Sequence, residues 1–301
     1  MHIRAGLTCF LLTSWAAHLA WAQPAVTFEQ KTDMRIGGKT WLSTVTTPLD
    51  EADREATYKV YTHVYDFDGI SPLTKGPGGE YTHHRGMFIG WRNTIVEGVE
   101  CDTWSMPDAS QHHIAWKSIL AGDSASQTEE IDWRDKSGKP ILTEVRTISA
   151  KEVENGIRCF DFQSELASVA GKIELKGDSH HGGMQIRMAS EVTSHPETTL
   201  YLIPQGAEER ENDEVFGAWW VVCSPVINNT RYWIMHMTPP DHPTGQPVYS
   251  IRRYARFGSF FEPVLEPGAP QTFRFRILLS ANEITAEQAH RLYDQYAGEA
   301  R

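Results

Sequence analysis

The feature that most constrains this 301-residue chain is a recurrent alternation of apolar and polar residues. Near the C-terminus, Phe273, Phe275 and Ile277 alternate with two arginines in the segment 273–279, and Ile173 and Leu175 alternate with lysine and glutamate. A period of two is typical of a β-strand with one buried and one solvated face. Further segments of strand length lie at 58–65, 141–148, 157–166, 185–192, 199–203 and 219–222.

One segment departs from this period and predicts a helix. Thr285 followed by Gln288 forms a capping box, and apolar residues then recur at helical spacing to Tyr296. Turn signals such as Asp68-Gly69 separate the strand segments. We therefore expect an all-β fold, a large antiparallel β-sandwich of the supersandwich type with a C-terminal helix, as one domain over residues 23–301.

The N-terminus has the pattern of a signal peptide over residues 1–22. A basic start ending at Arg4 precedes an apolar stretch, and Ala20-Trp21-Ala22 fits a cleavage site. This pattern predicts a protein of the periplasm or the extracellular space. No later apolar run reaches the length of about 18 residues that a membrane helix needs, so we expect no membrane insertion.

The net charge narrows the classes of molecule that this protein could bind. The formal net charge is −11, which argues against nucleic acid and anionic membranes. A neutral substrate, or an anionic one bound by local arginines, stays open.

Cys101, Cys159 and Cys223 follow the predicted cleavage site, and their spacing leaves a disulfide undecided. The oligomeric state is also open.

Paired histidines mark the segments that could carry chemistry. His83 and His84 precede Arg85 and a glycine, and His180-His181 precedes two glycines. Histidine changes charge near neutral pH and is the commonest metal ligand. A third pair, His112-His113, lies between the other two. We interpret these segments as the lining of one polar site.

A strand beginning at the second pair would place side chains on alternate faces. His181, Gln185 and Arg187 would share one face, Gly183 would leave open space there, and Ile186 would enter the core. We predict catalytic roles for His83, His84, Arg85, His181 and Arg187. We predict substrate-binding roles for Gln185, Trp91, Asp102, Trp104, His112, Glu144, His242 and Arg252.

Metal binding is an alternative use of the histidines. His236 lies between two methionines, which hints at copper, because thioethers suit Cu(I). The chain contains no His-Glu-x-x-His and no Cys-x-x-Cys, so zinc would need ligands from separate segments. No cofactor is required by the sequence, and a divalent metal stays possible. Nucleotide-binding and serine-hydrolase motifs are absent.

An ordered set of residues resembles the secreted bacterial family labelled "methane oxygenase PmoA", also described as a domain of unknown function. The set comprises Gly79, His83-His84-Arg85-Gly86, Gly90-Trp91, Asp102-Thr103-Trp104, His112, Trp133, Glu144, Arg146, Gly177-Asp178, His181-Gly182-Gly183-Met184-Gln185, Arg187, Trp219-Trp220, His242-Pro243, Arg252 and Tyr254. The resemblance covers nearly all of residues 23–301 and implies a carbohydrate role. It does not imply oxygenase activity, because a methane oxygenase subunit spans the membrane several times.

Three functions remain open at the level of the sequence. The first is a carbohydrate lyase or hydrolase with histidine acid–base catalysis and arginine stabilisation, including a glycosidase variant that uses Asp102 and Glu144. The second is a non-catalytic carbohydrate-binding module. The third is a histidine-coordinated copper or zinc protein. In the first two, the partner is a small molecule or an oligosaccharide.

Overall fold

A computed structural model of the protein describes residues 29–299. The predicted signal peptide at 1–22 lies outside these residues, so it and the export that it implies stay predictions. No helix within the described range is long and apolar enough to cross a membrane.

The described chain is dominated by β-strands. In the first half these are β1 (Lys31–Ile36), β2 (Lys39–Val45), β3 (Tyr61–Val64), β4 (Met87–Trp91), β5 (Asn93–Val96), β6 (Val99–Cys101), β7 (Ser110–Leu120), β8 (Ser124–Arg134) and β9 (Pro140–Glu152). The middle of the chain contributes β10 (Arg158–Ser168), β11 (Ile173–Lys176), β12 (Gly182–Arg187), β13 (Leu200–Leu202), β14 (Glu208–Arg210), β15 (Glu214–Phe216) and β16 (Trp220–Ser224). The remainder are β17 (Val226–Ile227), β18 (Thr230–Arg231), β19 (Trp233–Met237), β20 (Val248–Arg252), β21 (Arg256–Phe260), β22 (Val264–Leu265) and β23 (Gln271–Ser280).

Helices are few and mostly short. The α-helices of the described residues are α1 (Arg54–Thr57) and α2 (Ala286–Glu299). Single turns of 3₁₀ helix lie at Glu51–Asp53, Glu154–Gly156, Ser190–Ser194, Pro196–Thr198 and Glu211–Asp213. The expected C-terminal helix is confirmed, and the Gln288 backbone amide donates to Thr285 Oγ1 at 3.2 Å, as a capping box requires.

Two large antiparallel sheets form the sandwich. One has nine strands in the order β1-β2-β3-β4-β12-β21-β20-β15-β14, and the other has eight in the order β13-β16-β19-β23-β10-β9-β8-β7. Smaller sheets of four strands (β22-β11-β5-β6) and two strands (β17-β18) complete the described fold. The expected all-β, antiparallel sandwich is therefore confirmed.

The main core lies between the two large sheets. Alternate residues of many strands enter it, such as Ile186 from β12 and Phe275 from β23. The core draws on residues from Met34 to Leu279. Helix α2 covers the outer face of the eight-stranded sheet, where Leu292 and Tyr296 pack in a second apolar cluster with Trp220. The free energy of apolar burial thus selects the strand faces that alternation had predicted.

Two of the expected strands have different bounds. The segment 58–65 contains a shorter strand, β3, whose residues are buried on both faces and whose start is preceded by α1. The segment 185–192 begins its strand earlier, at Gly182, and turns into a 3₁₀ helix at Ser190. All three cysteines in the described residues are free, with Cys159 and Cys223 buried.

Candidate functional site

The candidate site lies on the outer face of the nine-stranded sheet. On β12, Met184 and Ile186 point into the core, so Gln185 and Arg187 take the opposite face, as predicted. Strand β21 pairs with β12, and Arg256 lies on the same outer face, where its Nη1 donates to Gln185 Oε1 at 3.1 Å. This face therefore carries buried polar groups.

Three tight turns fold over this face. The His84 amide donates to the Tyr81 carbonyl at 2.9 Å, and the His181 amide donates to the Asp178 carbonyl at 2.9 Å. The third turn links β20 to β21, where the backbone after Arg252 returns to the sheet. Together the turns enclose a cavity of about 210 Å³ lined by Tyr81, His83, His84, His180, His181, Arg252, Tyr254 and Arg256.

An aspartate–histidine pair lies at the edge of the cavity. His181 Nδ1 is 2.9 Å from Asp178 Oδ1 and 3.0 Å from Oδ2, and the side chain of His181 is 32% exposed. Burial alone would raise the pKa of Asp178. Hydrogen bonds from the His180 amide and the His181 ring outweigh this effect and hold that pKa below its ordinary value. A carboxylate that binds Nδ1 leaves Nε2 as the nitrogen that can accept a proton.

Aromatic rings form the wall and the rim. The Tyr81 and Tyr254 rings stack with centroids 5.0 Å apart, and Tyr81 is 42% exposed. Deeper in the wall, the Trp104 ring meets the edge of His84 at 5.8 Å and of His181 at 6.5 Å. Stacked rings at the mouth of a polar cavity can pack against a flat apolar ligand face.

Arginines supply the positive charge of the site. Arg256 is 1% exposed and donates from Nη1 to Ser250 Oγ as well as to Gln185, each at 3.1 Å. At the rim, Arg252 Nη1 donates to Asp213 Oδ2 at 2.8 Å. Beneath the cavity, the Arg187 guanidinium lies 4.5 Å from the centroid of the Tyr254 ring. Burial lowers the pKa of Arg187 to about 10.

Two buried lysines support the backbone of the histidine turn. Lys59 Nζ donates to the carbonyls of His83 at 3.0 Å and Trp104 at 2.6 Å. Lys75 Nζ donates to the carbonyl of Gly76 at 3.0 Å and lies 3.4 Å from that of His84. Burial, followed by the Arg85 guanidinium, lowers the pKa of both lysines, to about 8 for Lys75.

The cavity imidazoles on the first turn are held neutral. Burial, followed by the charge of Lys59, lowers the pKa of His83 to about 3. Burial, followed by Arg256, lowers the pKa of His84 well below its ordinary range. The pKa of His180 is also lowered, by burial and then by Arg252. Neutral rings can accept a proton or donate one hydrogen bond.

Several predicted site residues are brought together. His83, His84, His181 and Arg252 line the cavity. Gln185 and Arg187 lie beneath it without exposed surface. Trp104 contributes its ring to the wall although it too is fully buried.

Arg85 is placed behind the site. Its Nη2 donates to the Glu55 carbonyl at 2.7 Å, its guanidinium lies 5.4 Å from the centroid of the Tyr58 ring, and its side chain is 1% exposed. Arg85 does not line the cavity, and its hydrogen bonds go to backbone carbonyls, so the catalytic prediction for Arg85 is corrected to support of the loop.

Other predicted binding residues lie away from the cavity. Trp91 is fully buried and donates from Nε1 to the Phe261 carbonyl at 2.7 Å, so it offers no ring to a sugar. Glu144 is fully buried in an ion pair with Arg146. His242 is 4% exposed and packs against Phe261.

Asp102 and His112 also lie outside the cavity lining. Asp102 Oδ1 accepts the amides of Trp104 at 2.8 Å and Ser105 at 2.7 Å, which shapes the loop that holds the Trp104 ring. His112, on strand β7, bonds Ser110 Oγ from Nε2 at 2.8 Å. Both side chains make hydrogen bonds within their own segments, so the structure gives neither a contact with the cavity.

Gly183 has a different role from the one predicted. A Cβ built at this position would lie 1.9 Å from the Ser259 carbonyl oxygen, and the φ angle is +82°. The glycine thus allows close approach of β12 and β21 and leaves no open space. The polar face is present as predicted, but the cavity above it is formed by the three turns and not by Gly183.

Several residues of the site received no individual role from the sequence. The cavity lining includes Tyr81, Tyr254 and Arg256, and Asp178 holds His181. His180, which also lines the cavity, entered the sequence analysis only as a member of its histidine pair. Asp178 stands three residues before His181, a spacing that suits a turn whose side chain bonds the ring. Arg256 is harder to recognise as a site residue from the sequence, because an arginine on a strand is usually solvated.

A metal centre has little geometric support in the described part of the chain. No three side chains of His, Cys, Asp and Glu within residues 29–299 are arranged to hold a metal ion. His236, the predicted copper ligand, is fully buried, and its Nε2 lies 3.1 Å from Met184 Sδ. The two methionines beside it in the sequence, Met235 and Met237, pack in the separate apolar cluster under α2. Metal binding stays a prediction.

The fold and the cavity define a β-sandwich protein with a pocket of histidine, arginine and tyrosine. The chain belongs to a family of unknown function, DUF6807, whose model matches residues 31–294. Comparison with curated proteins finds no significant match. The resemblance to the family labelled PmoA stays a prediction.

Two solved structures match this chain at very low sequence identity. A protein assigned as a kojibiose phosphorylase, from the human microbiome, matches with a TM-score of 0.34 and 11% identity over 86% of this chain, which spans 32% of that chain. A GalM/aldose epimerase homologue from C. elegans matches with a TM-score of 0.42 and 7% identity over 84% of this chain and 99% of that one. At these scores neither likeness carries an argument about activity.

Proposed function

We propose that this protein is a carbohydrate-active enzyme that catalyses proton transfer in the histidine cavity, with His181 as the general base. The observation that carries the proposal is the Asp178–His181 pair, with Nδ1 to Oδ1 at 2.9 Å, at the edge of a cavity lined by two arginines. Orientation of an imidazole by a carboxylate is a recurrent means of activating it as a base.

The surrounding groups supply the rest of the chemistry. Arg252 and Arg256 lie where they can stabilise negative charge that develops as a carbon-bound proton leaves. The neutral ring of His83 can donate a hydrogen bond to a leaving oxygen. The stacked pair of Tyr81 and Tyr254 offers an aromatic surface for a sugar ring.

A lyase is favoured over a two-carboxylate glycosidase. The glycosidase variant required Asp102 and Glu144 as an acid–base pair flanking the substrate. Glu144 is fully buried and engaged by Arg146 Nε at 2.9 Å, while Asp102 binds backbone amides. Proton abstraction from a carbon beside a carbonyl group needs one base and a stabiliser of negative charge, which the cavity contains.

The first experiment separates an enzyme from a binding module. Wild-type protein and the variants His181→Ala and His83→Ala are incubated with a panel of oligosaccharides and sugar acids, and products are followed by chromatography and mass spectrometry. His195→Ala is the matched control, because its side chain is 75% exposed and lies outside the cavity lining.

The expected result is turnover by the wild type and the control, and loss of turnover in His181→Ala. Equal turnover in all four proteins would show that the cavity is not the active site. Binding of a sugar without turnover would favour the binding module, for which the exposed Tyr81 ring and the half-buried Tyr254 ring would be the platform.

A further inference from the structure

The charges around the cavity are unbalanced. Of the eight described side chains that line it, two are arginines, and none is a carboxylate. Arg187 lies directly beneath, and Lys59 and Lys75 bond the backbone of the histidine turn. This concentration of positive charge stands out in a protein whose formal net charge is −11.

The acidic side chains that approach this region are already engaged. Asp178 is bound to His181, Asp213 accepts from Arg252 at 2.8 Å, and Glu214 accepts from Ser179 Oγ at 2.6 Å. Glu80 lies beside the exposed Tyr81. Arg256 donates to the neutral oxygens of Gln185 and Ser250, and the Tyr254 hydroxyl also interacts with it.

Unused donors and acceptors point to a ligand. Nε of Arg256 and Nδ1 of His84 are buried and have no hydrogen-bond partner within residues 29–299. Both residues line the cavity, and they are 1% and 3% exposed. Beneath them, Nε and Nη1 of Arg187 are also without a partner in the described structure. Burying a charged group is unfavourable unless an opposite charge or full hydrogen bonding compensates.

We propose that the ligand of this cavity is an anion and that the substrate is a sugar acid, whose carboxylate is bound by Arg256 from below and Arg252 at the rim. This inference rests on the proposed carbohydrate function and names its substrate class. A guanidinium matches a carboxylate in geometry and charge. The carboxyl group would also make the adjacent carbon the one whose proton His181 removes.

The test compares ligands that differ in one charge. Binding of D-glucuronate, D-galacturonate, their neutral methyl esters and D-glucose is measured by titration calorimetry, with sulfate and phosphate as inorganic probes. We expect the acids to bind at least about tenfold more tightly than the esters and glucose, because a charge-assisted contact is lost in the neutral forms. Added salt should weaken only the acids.

Two variants locate the effect. Arg252→Gln removes a rim arginine, whereas Arg253→Gln removes the same charge from the adjacent exposed residue outside the lining. We expect Arg252→Gln to abolish most of the preference for the acids and Arg253→Gln to retain it. If Arg252→Gln fails to fold, the acid–ester comparison on wild-type protein still decides.

The outcomes separate this inference from the proposed function. Equal binding of glucose, esters and acids would overturn the anionic substrate while leaving a carbohydrate function standing. Arg252-dependent binding of sulfate or phosphate without any sugar would support an anion site and overturn the carbohydrate function. Absence of binding by every probe would overturn both.

Discussion

Two buried polar regions of this molecule contrast sharply. In the sandwich core, Glu144 accepts hydrogen bonds from Arg146, Trp133 Nε1 at 2.9 Å and Ser164 Oγ at 2.7 Å. In the histidine cavity, by contrast, buried nitrogens of Arg256 and His84 find no partner in the described chain. The ion pair in the core is satisfied by its own neighbours, whereas the cavity leaves polar atoms for which we propose a ligand. In these two regions, the state of the hydrogen bonds separates the groups more clearly than the residue types do.

The largest effect that we predict concerns the ion pair between Glu144 and Arg146 in the core. Glu144→Ala leaves Arg146 as an unpaired buried charge and should lower the free energy of unfolding by about 3–5 kcal/mol. Denaturant unfolding measures this change. The control is Glu130→Ala, because Glu130 forms an exposed pair with Lys117 at 3.6 Å and should cost no more than about 1 kcal/mol. Equal losses in the two variants would contradict the contrast.

The next largest effect concerns the general base of the histidine cavity. His181→Ala should lower kcat/KM on the responsive substrate roughly 100- to 1,000-fold, since it removes the general base. The same variant should change the free energy of unfolding by less than about 1 kcal/mol, because the side chain is partly exposed. Rate assays and denaturant unfolding on one preparation check both parts. A folding defect as large as that of Glu144→Ala would mean that His181 is structural.

We expect buried histidines of the core to cause the pH dependence of the free energy of unfolding. Burial lowers the pKa of His236 to about 3. Its value in the unfolded chain is about 6.5, so between these values the unfolded chain takes up a proton that the folded chain does not. The free energy of unfolding therefore falls as the pH drops below about 6.5.

A substitution isolates this contribution. Between pH 7 and pH 5 the wild type should lose about 2 kcal/mol more stability than His236→Phe, which has no group to titrate. Denaturant unfolding at the two pH values measures it. Identical pH slopes would show that His236 does not account for the loss, and the buried His63 and His242 would then be examined in the same way.

The smallest effect concerns the residue that positions the base. Asp178→Asn keeps the size of the side chain and removes the charge that faces His181 Nδ1, so we expect about a tenfold fall in kcat, less than that of His181→Ala. The split between kcat and KM is the decisive readout, since a base that is no longer oriented should lower kcat and leave KM unchanged. An unchanged kcat would assign Asp178 to the turn alone.

Sequence reasoning predicted the fold better than the site. The alternation at 273–279 identified the core face of β23, and the capping residues located α2. It also identified His83, His84 and His181 as parts of one polar centre. It failed for Trp91 and Glu144, because a tryptophan that binds a carbonyl and a glutamate in an ion pair look the same in sequence as binding residues.

Local sequence pattern is enough to predict which strand residues enter the core and where the final helix begins, because both follow from periodicity over a few residues and the free energy of apolar burial. Which polar groups meet depends on the tertiary fold. The turns at Tyr81, Asp178 and Arg252 are far apart in the chain, and the neighbouring order of β4, β12, β21 and β20 brings them together. Strand order is set by the packing of the whole sandwich, so no local pattern could reveal that Arg256 lies beside the paired histidines.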